Sequence, residues 1–243
     1  MKAFLLGAGR GTRLAPLTDT VPKILAPMAG RPLLEHQLAY LAGNGVSEVI
    51  LNVHHLEDRV LEFVEGVKSP VRVRISREPD LLGTAGALVP RRDELRETFV
   101  LLYGDVITDE PLARLLAAHR HAGGIATLAC YRADDPRGKG VVSVDASGRV
   151  TAFAEKPQEV TAGAMVNAGL YVLEPEIFEL ITPGSSFGVD VWPRAIAEGR
   201  PLNAHLMTGY VCDVGTPAAL SRAARYLTAG ALSSPGAAES AAG

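Results

Sequence analysis

The strongest constraint lies at the amino end. The run Ala3-Phe4-Leu5-Leu6 contains no polar residue and breaks directly into Gly7-Ala8-Gly9-Arg10-Gly11-Thr12-Arg13-Leu14. A short, continuously apolar run reads as a strand buried on both faces, and such strands belong to parallel sheets covered by helices. The glycines that follow let backbone N–H groups converge on one concavity, the arrangement that binds phosphate oxygens. Arg13 adds a planar fork that can hold two such oxygens, and Lys23 adds a mobile point charge.

Downstream, apolar runs alternate with helix-period segments. Pro32 opens a predicted helix whose Leu33, Leu34, Leu38 and Leu41 share one face, and Gly43-Asn44-Gly45 ends it. Residues 48–53, 71–76, 98–103 and 125–131 read as strands, with helices over 56–64, 86–95 (shifted or interrupted by Pro90) and 111–121 between them. This alternation predicts a mostly parallel α/β sheet with helices packed on it. The pattern then changes. Residues 140–144 and 149–154 flank the turn sequence Asp145-Ala146-Ser147-Gly148, which predicts an antiparallel hairpin. Strands over 166–173, 202–206 and 210–214 follow, with helices near 176–181, 189–198 and 217–227. From Ala229 onward Ala, Gly and Ser dominate, and this segment reads as a disordered tail. No internal repeat is visible, and in particular no six-residue β-helix repeat.

Several classes are disfavoured. The net charge of −3 supplies no basic excess for a nucleic-acid partner. No apolar run is long enough to cross a bilayer, and the glycine loop interrupts the amino-terminal run too early for a signal peptide. Cys130 and Cys212 form no CxxC pair and the six histidines show no ligand spacing, so neither a disulfide framework nor a zinc site is expected. His54 and His55 are adjacent, so on an extended segment they point apart and cannot easily share one ion. The cytoplasm is the expected compartment.

The loop departs from common phosphate motifs. There is no G-x-x-x-x-G-K-[ST], Thr12 breaks a G-x-G-x-x-G, and the strand ending at Val53 lacks the acid that a dinucleotide fold places on ribose. Other candidates sit at predicted strand ends. Asp105 follows the apolar strand over 98–103, where the ligand crevice of an open α/β sheet lies. Read alone it is a turn residue capping the next helix. Asp213 ends another strand and could cap the helix near Pro217. Glu155-Lys156 ends the hairpin, where such a pair is usually solvated and worth little. Asn167 alternates with Val166 and Ala168, on the same face as Gly169 and Tyr171.

The ordered run Leu6-Gly7-Ala8-Gly9-Arg10-Gly11-Thr12-Arg13-Leu14-Ala15-Pro16-Leu17-Thr18, followed by Pro22-Lys23, resembles the opening of the sugar-phosphate nucleotidyltransferase family. Gly7-Ala8 departs slightly, since the family more often has Ala then Gly there. Gly30-Arg31-Pro32-Leu33-Leu34-Glu35, Glu78-Pro79 with Leu82-Gly83-Thr84-Ala85-Gly86, Gly104-Asp105, Glu155-Lys156-Pro157, Asn167 with Gly169, and Asp213 extend the resemblance to about Tyr226. The likeness is to mannose- or heptose-1-phosphate guanylyltransferases that lack a β-helix domain.

The resemblance implies a Rossmann-like, mostly parallel mixed sheet flanked by helices, with an added antiparallel sugar-binding subregion. One domain would cover 1–228, with 1–131 mainly handling nucleotide and 132–228 mainly sugar phosphate, ahead of a tail over 229–243. It implies nucleotide contacts at Leu6, Ala8, Gly9, Gly11, Thr12, Arg13, Lys23, Glu78, Gly83 and Thr84. Sugar-phosphate contacts fall to Gly140, Glu155, Lys156, Asn167 and Gly169. Asp105 and Asp213 become ligands of Mg²⁺, a hard cation suited to two carboxylates, phosphate oxygens and waters. Arg13, Lys23, Asp105 and Asp213 form the implied catalytic set. The implied reaction joins a sugar 1-phosphate to a nucleoside triphosphate, GTP before UTP or dTTP, and releases pyrophosphate.

Two other classes share parts of the pattern. A non-catalytic nucleotide-sugar sensor has little need to keep Arg13, Lys23, Asp105, Lys156 and Asp213 together. A glycosyltransferase usually carries D-x-D after a central strand, whereas Gly104-Asp105-Val106-Ile107 supplies one acid.

Overall fold

The computed structural model describes residues 1–230, so all but the first two residues of the expected tail lie outside the described residues. In chain order the strands are β1 (Lys2–Leu6), β2 (Pro27–Met28), β3 (Arg31–Pro32), β4 (Glu48–Val53), β5 (Arg72–Arg77), β6 (Phe99–Tyr103), β7 (Val106–Thr108), β8 (Ala126–Arg132), β9 (Gly140–Val144), β10 (Val150–Glu155), β11 (Met165–Leu173), β12 (Leu202–Leu206) and β13 (Val211–Asp213). The helices are α1 (Leu33–Gly43), α2 (Glu57–Gly66), α3 (Leu112–Ala122), α4 (Trp192–Ala197) and α5 (Pro217–Thr228).

Nine strands form one sheet. Its main path is β10-β9-β11-β6-β1-β4-β5, and β8 and β12 continue from β11. β1 lies between β4 and β6, parallel to both, with Phe4 beside Ile50 and Leu101. Alternation along these strands divides the core between the two faces. Phe4, Ile50 and Leu101 pack on one side with Tyr171, Phe187 and Trp192. Leu5, Leu51 and Leu102 pack on the other with Leu34 and Leu38 of α1 and Leu115 of α3. The uniformly apolar runs are therefore the sheet's centre, buried on both faces.

The parallel half matches the expectation, and the later strands are antiparallel with one exception. β9 pairs with β10, and β11 with β6 and β8, all antiparallel, but β12 runs parallel to β8. Three predicted helices differ in type. Residues Gly86–Glu94 form a 3-10 helix containing Pro90, whose ring and missing N–H prevent a regular α-helix. Pro175–Glu179 is also 3-10, and the segment predicted at 189–198 begins as a π-turn over Phe187–Val191 before α4. Two small pairings were not predicted, β2 with β3 and β7 with β13. The second proves central to the site.

One buried acid holds the carboxyl-terminal strands in place. Glu110, fully buried, accepts hydrogen bonds from His205 Nε2 at 2.9 Å and from the amides of Thr208 and Gly209 at 3.0 and 2.9 Å. Burial pushes its carboxyl up, but the bonds from His205, Gly209 and Thr208 together hold it below its ordinary value of 4.5. Glu110→Ala should cost about 3 kcal/mol, because it strands one imidazole and two amides. A carboxyl with a lowered folded pKa stabilises fully above its ordinary value, and the contribution is lost as pH falls through the depressed one. Urea melts of wild type and variant should therefore differ at neutral pH and converge on acidification.

Candidate active site

The glycine loop leaves β1 at the carboxyl edge of the sheet, and its neighbours fix its path. The Gly7 amide donates to Asn52 Oδ1 at 2.7 Å, and Thr18 Oγ1 donates to the Gly11 carbonyl at 2.9 Å. Gly11 has φ of 67°, and a Cβ there would sit 2.9 Å from the Lys23 Cβ. Glycine thus serves both the left-handed turn and the close passage of the Lys23 side chain. At the end of β6 the Gly104 amide donates to the Leu6 carbonyl at 2.8 Å, and a side chain at 104 would run into that carbonyl.

Two adjoining cavities open at this edge. One, of about 320 Å³, is lined by Leu6, Ala8, Gly9, Gly11, Lys23, Glu78 and Gly83, together with Asn52 and Leu81. The other, of about 370 Å³, is lined by Arg13, Gly140, Glu155, Lys156, Asn167, Gly169 and Asp213, together with Tyr131, Lys139 and Val189. Thr84, Tyr103, Asp105 and Ser186 line both. Of the residues singled out in the sequence, Thr12 alone lines neither cavity, and it is exposed on its 3-10 turn. Arg13, expected with the nucleotide residues, instead lines the second cavity.

The two aspartates meet through the small sheet that the sequence did not predict. β7 runs antiparallel to β13 with Val106 beside Asp213, and the Val214 amide donates to the Asp105 carbonyl at 2.7 Å. Neither aspartate caps a helix: Thr216 caps α5 through the Ala219 amide, and α3 begins after Pro111. Lys23 Nζ lies 2.5 Å from Asp105 Oδ2. Asp213 Oδ1 is buried and has no hydrogen-bond partner. Burial and then the Asp105 charge push the Asp213 carboxyl above its ordinary value, against the opposing pull of Lys23 and Arg13. A Cβ on Gly215 would lie 2.7 Å from the Arg13 guanidinium and 2.9 Å from Asp213 Oδ1, so glycine leaves room for both.

An unpaired buried carboxylate oxygen beside a second carboxylate is a fitting donor set for a divalent cation. Among the described residues no group of three or more His, Cys, Asp or Glu side chains is placed to enclose a metal. The pair therefore suits a hard ion that takes its remaining ligands from phosphate and water.

The second cavity is built by β9, β10 and β11. A Cβ on Gly140 would press on the Phe153 ring at 2.6 Å. Lys156, at φ of 47°, lies 3.6 Å from Glu155, and its amide donates to the Lys139 carbonyl at 3.1 Å. Asn167 Nδ2 donates to the Tyr171 hydroxyl at 2.6 Å, and Asn167 Oδ1 accepts from the Gly169 amide at 3.2 Å. Gly169, at φ of 73°, lets β11 pass the Tyr103 ring, where a Cβ would be 3.0 Å away. Burial pushes the Tyr103 hydroxyl up to about 12, which keeps it neutral between the cavities.

Asn52, Tyr103, Lys139 and Ser186 were not singled out in the sequence. Asn52 carried a signal, being a polar residue in an otherwise apolar strand end, and it also donates to Glu78 Oε1 at 2.7 Å. Tyr103 lies two residues before Asp105 on the same strand end. Ser186 had no local signal. It reaches the cleft because the Ser185 carbonyl accepts from the Ala85 and Gly86 amides, and the Phe187 amide donates to Thr84 Oγ1. His54 and His55 bind the carbonyls of Glu78 and Thr18, as loop braces.

A family model described as nucleotidyl transferase matches residues 2–230. The chain is 37% identical over 225 residues to mannose-1-phosphate guanylyltransferase 1 of Arabidopsis thaliana, covering 89% of this chain and 62% of that protein. It therefore spans less than two thirds of the length of that relative. Among solved structures, HddC from Yersinia pseudotuberculosis superposes with a TM-score of 0.82 at 22% identity, covering 93% of this chain and 99% of that one. The same protein complexed with GMP-PN gives 0.80 at 23% identity, with the same coverage. These two structures share the fold.

Proposed function

The chain belongs to the nucleotidyl transferase family, and from that premise we propose that it condenses a sugar 1-phosphate with GTP to give a GDP-sugar and pyrophosphate. The observation that carries this reading is the shared wall. Thr84, Tyr103, Asp105 and Ser186 line both cavities, so ligands in each would meet beside the Asp105–Asp213 pair.

The chemistry is a direct displacement. An oxygen of the sugar phosphate bonds to the α-phosphorus, the α–β bridging bond breaks, and pyrophosphate leaves with that electron pair. The nucleophile is already an anion, so no general base is needed, and catalysis rests on positioning and charge neutralisation. The glycine-loop amides and Lys23 hold the triphosphate. Arg13, facing Asp213 across Gly215, stabilises charge at the junction of the cavities. Lys156 and the neighbouring backbone orient the sugar phosphate, with Glu155 and Asn167 at its hydroxyls. Asp105 and Asp213 would hold Mg²⁺, which supplies charge neutralisation between the two anionic substrates. Both substrates are multiply charged and do not cross membranes unaided, which suits a cytoplasmic setting.

Guanine is favoured by Glu78. Glu78 lines the nucleotide cavity, and its buried carboxylate accepts from Asn52 Nδ2 on one oxygen and the Leu82 amide on the other. Each oxygen retains a lone pair. Guanine presents two adjacent donors, N1–H and N2–H, to such a fork. Uracil and thymine present one donor between two carbonyls. The similarity to a mannose-1-phosphate guanylyltransferase supports this choice.

A pyrophosphate-release assay with Mg²⁺, crossing five nucleoside triphosphates with a panel of sugar 1-phosphates, tests the reading. Release that needs both substrates, and is fastest with GTP, is expected. Sugar-independent release, or release of nucleoside diphosphate, would overturn the reaction class.

A further inference from the structure

We propose that Lys139 grips the phosphate of the incoming sugar 1-phosphate beside Asp213, an assignment that rests on the reaction proposed above. Lys139 directly precedes β9 and lines the second cavity together with Gly140 and Asp213. Its Nζ lies above the Tyr131 ring, 5.7 Å from the centroid. Among the described residues it makes no ion pair.

The other lysines of the cleft differ in this respect. Lys23 is neutralised by Asp105 at 2.5 Å. Lys156 lies 3.6 Å from Glu155, with two thirds of its side chain exposed. Lys139 is thus the one of these three whose charge no carboxylate in contact offsets. An aromatic face steadies an ammonium while leaving its hydrogen-bond donors free for another partner.

Lys139 does not line the nucleotide cavity, so the anion it meets is the sugar phosphate rather than the triphosphate. Its backbone carbonyl accepts the Lys156 amide at 3.1 Å, so the two lysines are held at a fixed spacing on one side of the cavity. Two ammonium groups lining one cavity can then bind different oxygens of one phosphate.

Steady-state kinetics of the full chain distinguish this role from a structural one. Lys139→Met keeps an unbranched stem over Tyr131 and removes the charge. It should raise KM for the sugar 1-phosphate roughly 10- to 100-fold, the loss of one charge-assisted hydrogen bond, and leave KM for GTP unchanged. Lys139→Arg should recover most of the loss. Should Lys139→Met melt below the assay temperature, Lys139→Gln provides the same comparison. An unchanged sugar-phosphate KM, or an equal rise in both KM values, overturns the assignment. Absence of pyrophosphate release by the wild type with every substrate pair would instead overturn the reaction on which it rests.

Discussion

Replacing Arg13 by alanine is expected to lower turnover by about 10²- to 10³-fold, the effect of deleting one preorganised donor at developing charge. The same change should move Tm by only about 1 °C, since an exposed side chain outside any structural network contributes within about 0.5 kcal/mol. Arg13 is exposed on a 3-10 turn, makes no ion pair among the described residues, and directs its guanidinium over Gly215 toward Asp213. Its position answers to the chemistry rather than to the fold. Arg13→Lys should recover only part of the activity, because an ammonium keeps the charge but cannot grip two oxygens in one plane. Thermal melts and pyrophosphate release on the same samples check both halves. A folded Arg13→Ala enzyme with normal turnover would remove Arg13 from the catalytic set.

That Arg13 can be argued at all from a sequence reflects how local its setting is. β1, the glycine turn and Lys23 occupy one short stretch, so spacing alone brings their groups together, but the approach of Arg13 to Gly215 and Asp213, which sets it in the second cavity, is long-range and was not legible. Gly104 and Asp105 are legible for a related reason: an apolar strand must end at the sheet's carboxyl edge, and its first turn residue meets whatever binds there. The pairing of β7 with β13 was not legible, because two three-residue strands carry no periodicity, yet that pairing sets Asp213 beside Asp105. The same holds for Ser186, brought in by hydrogen bonds between two distant loops, and for Lys139, whose charge is informative only once Tyr131 and Asp213 surround it. The segment read as a helix over 86–95, shifted or interrupted by Pro90, is helical but of 3-10 type. Pro90 was visible in the sequence, whereas the close approach of Gly86 to the 182–185 segment, where a Cβ would come within 2.7 Å of the Gly184 amide nitrogen, was not.

Asp213→Asn is expected to separate activity from stability in opposite directions. Turnover should fall by about 10²-fold or more, since a charged group at the reacting centre is lost. Stability of the metal-free protein should be equal or higher. Asp213 Oδ1 is buried without a partner, and Asp105 adds like-charge repulsion, so the ionised carboxylate is held at a cost. A carboxyl whose folded pKa is raised destabilises the fold at every pH above that pKa, and the cost disappears as pH falls below the unfolded value. Chemical denaturation in a chelator should therefore favour the variant near neutral pH, with the advantage vanishing in acid. Adding Mg²⁺ should reverse the order. A cation that binds the folded wild type stabilises it by mass action and gains little from an amide at 213. Equal Mg²⁺ responses in the two proteins would detach Asp213 from the metal. A variant less stable than wild type in chelator would show that the carboxylate serves the fold. Together the two outcomes expected here would mark Asp213 as a residue retained for the reaction, with its electrostatic cost offset by the wide apolar sheet behind it.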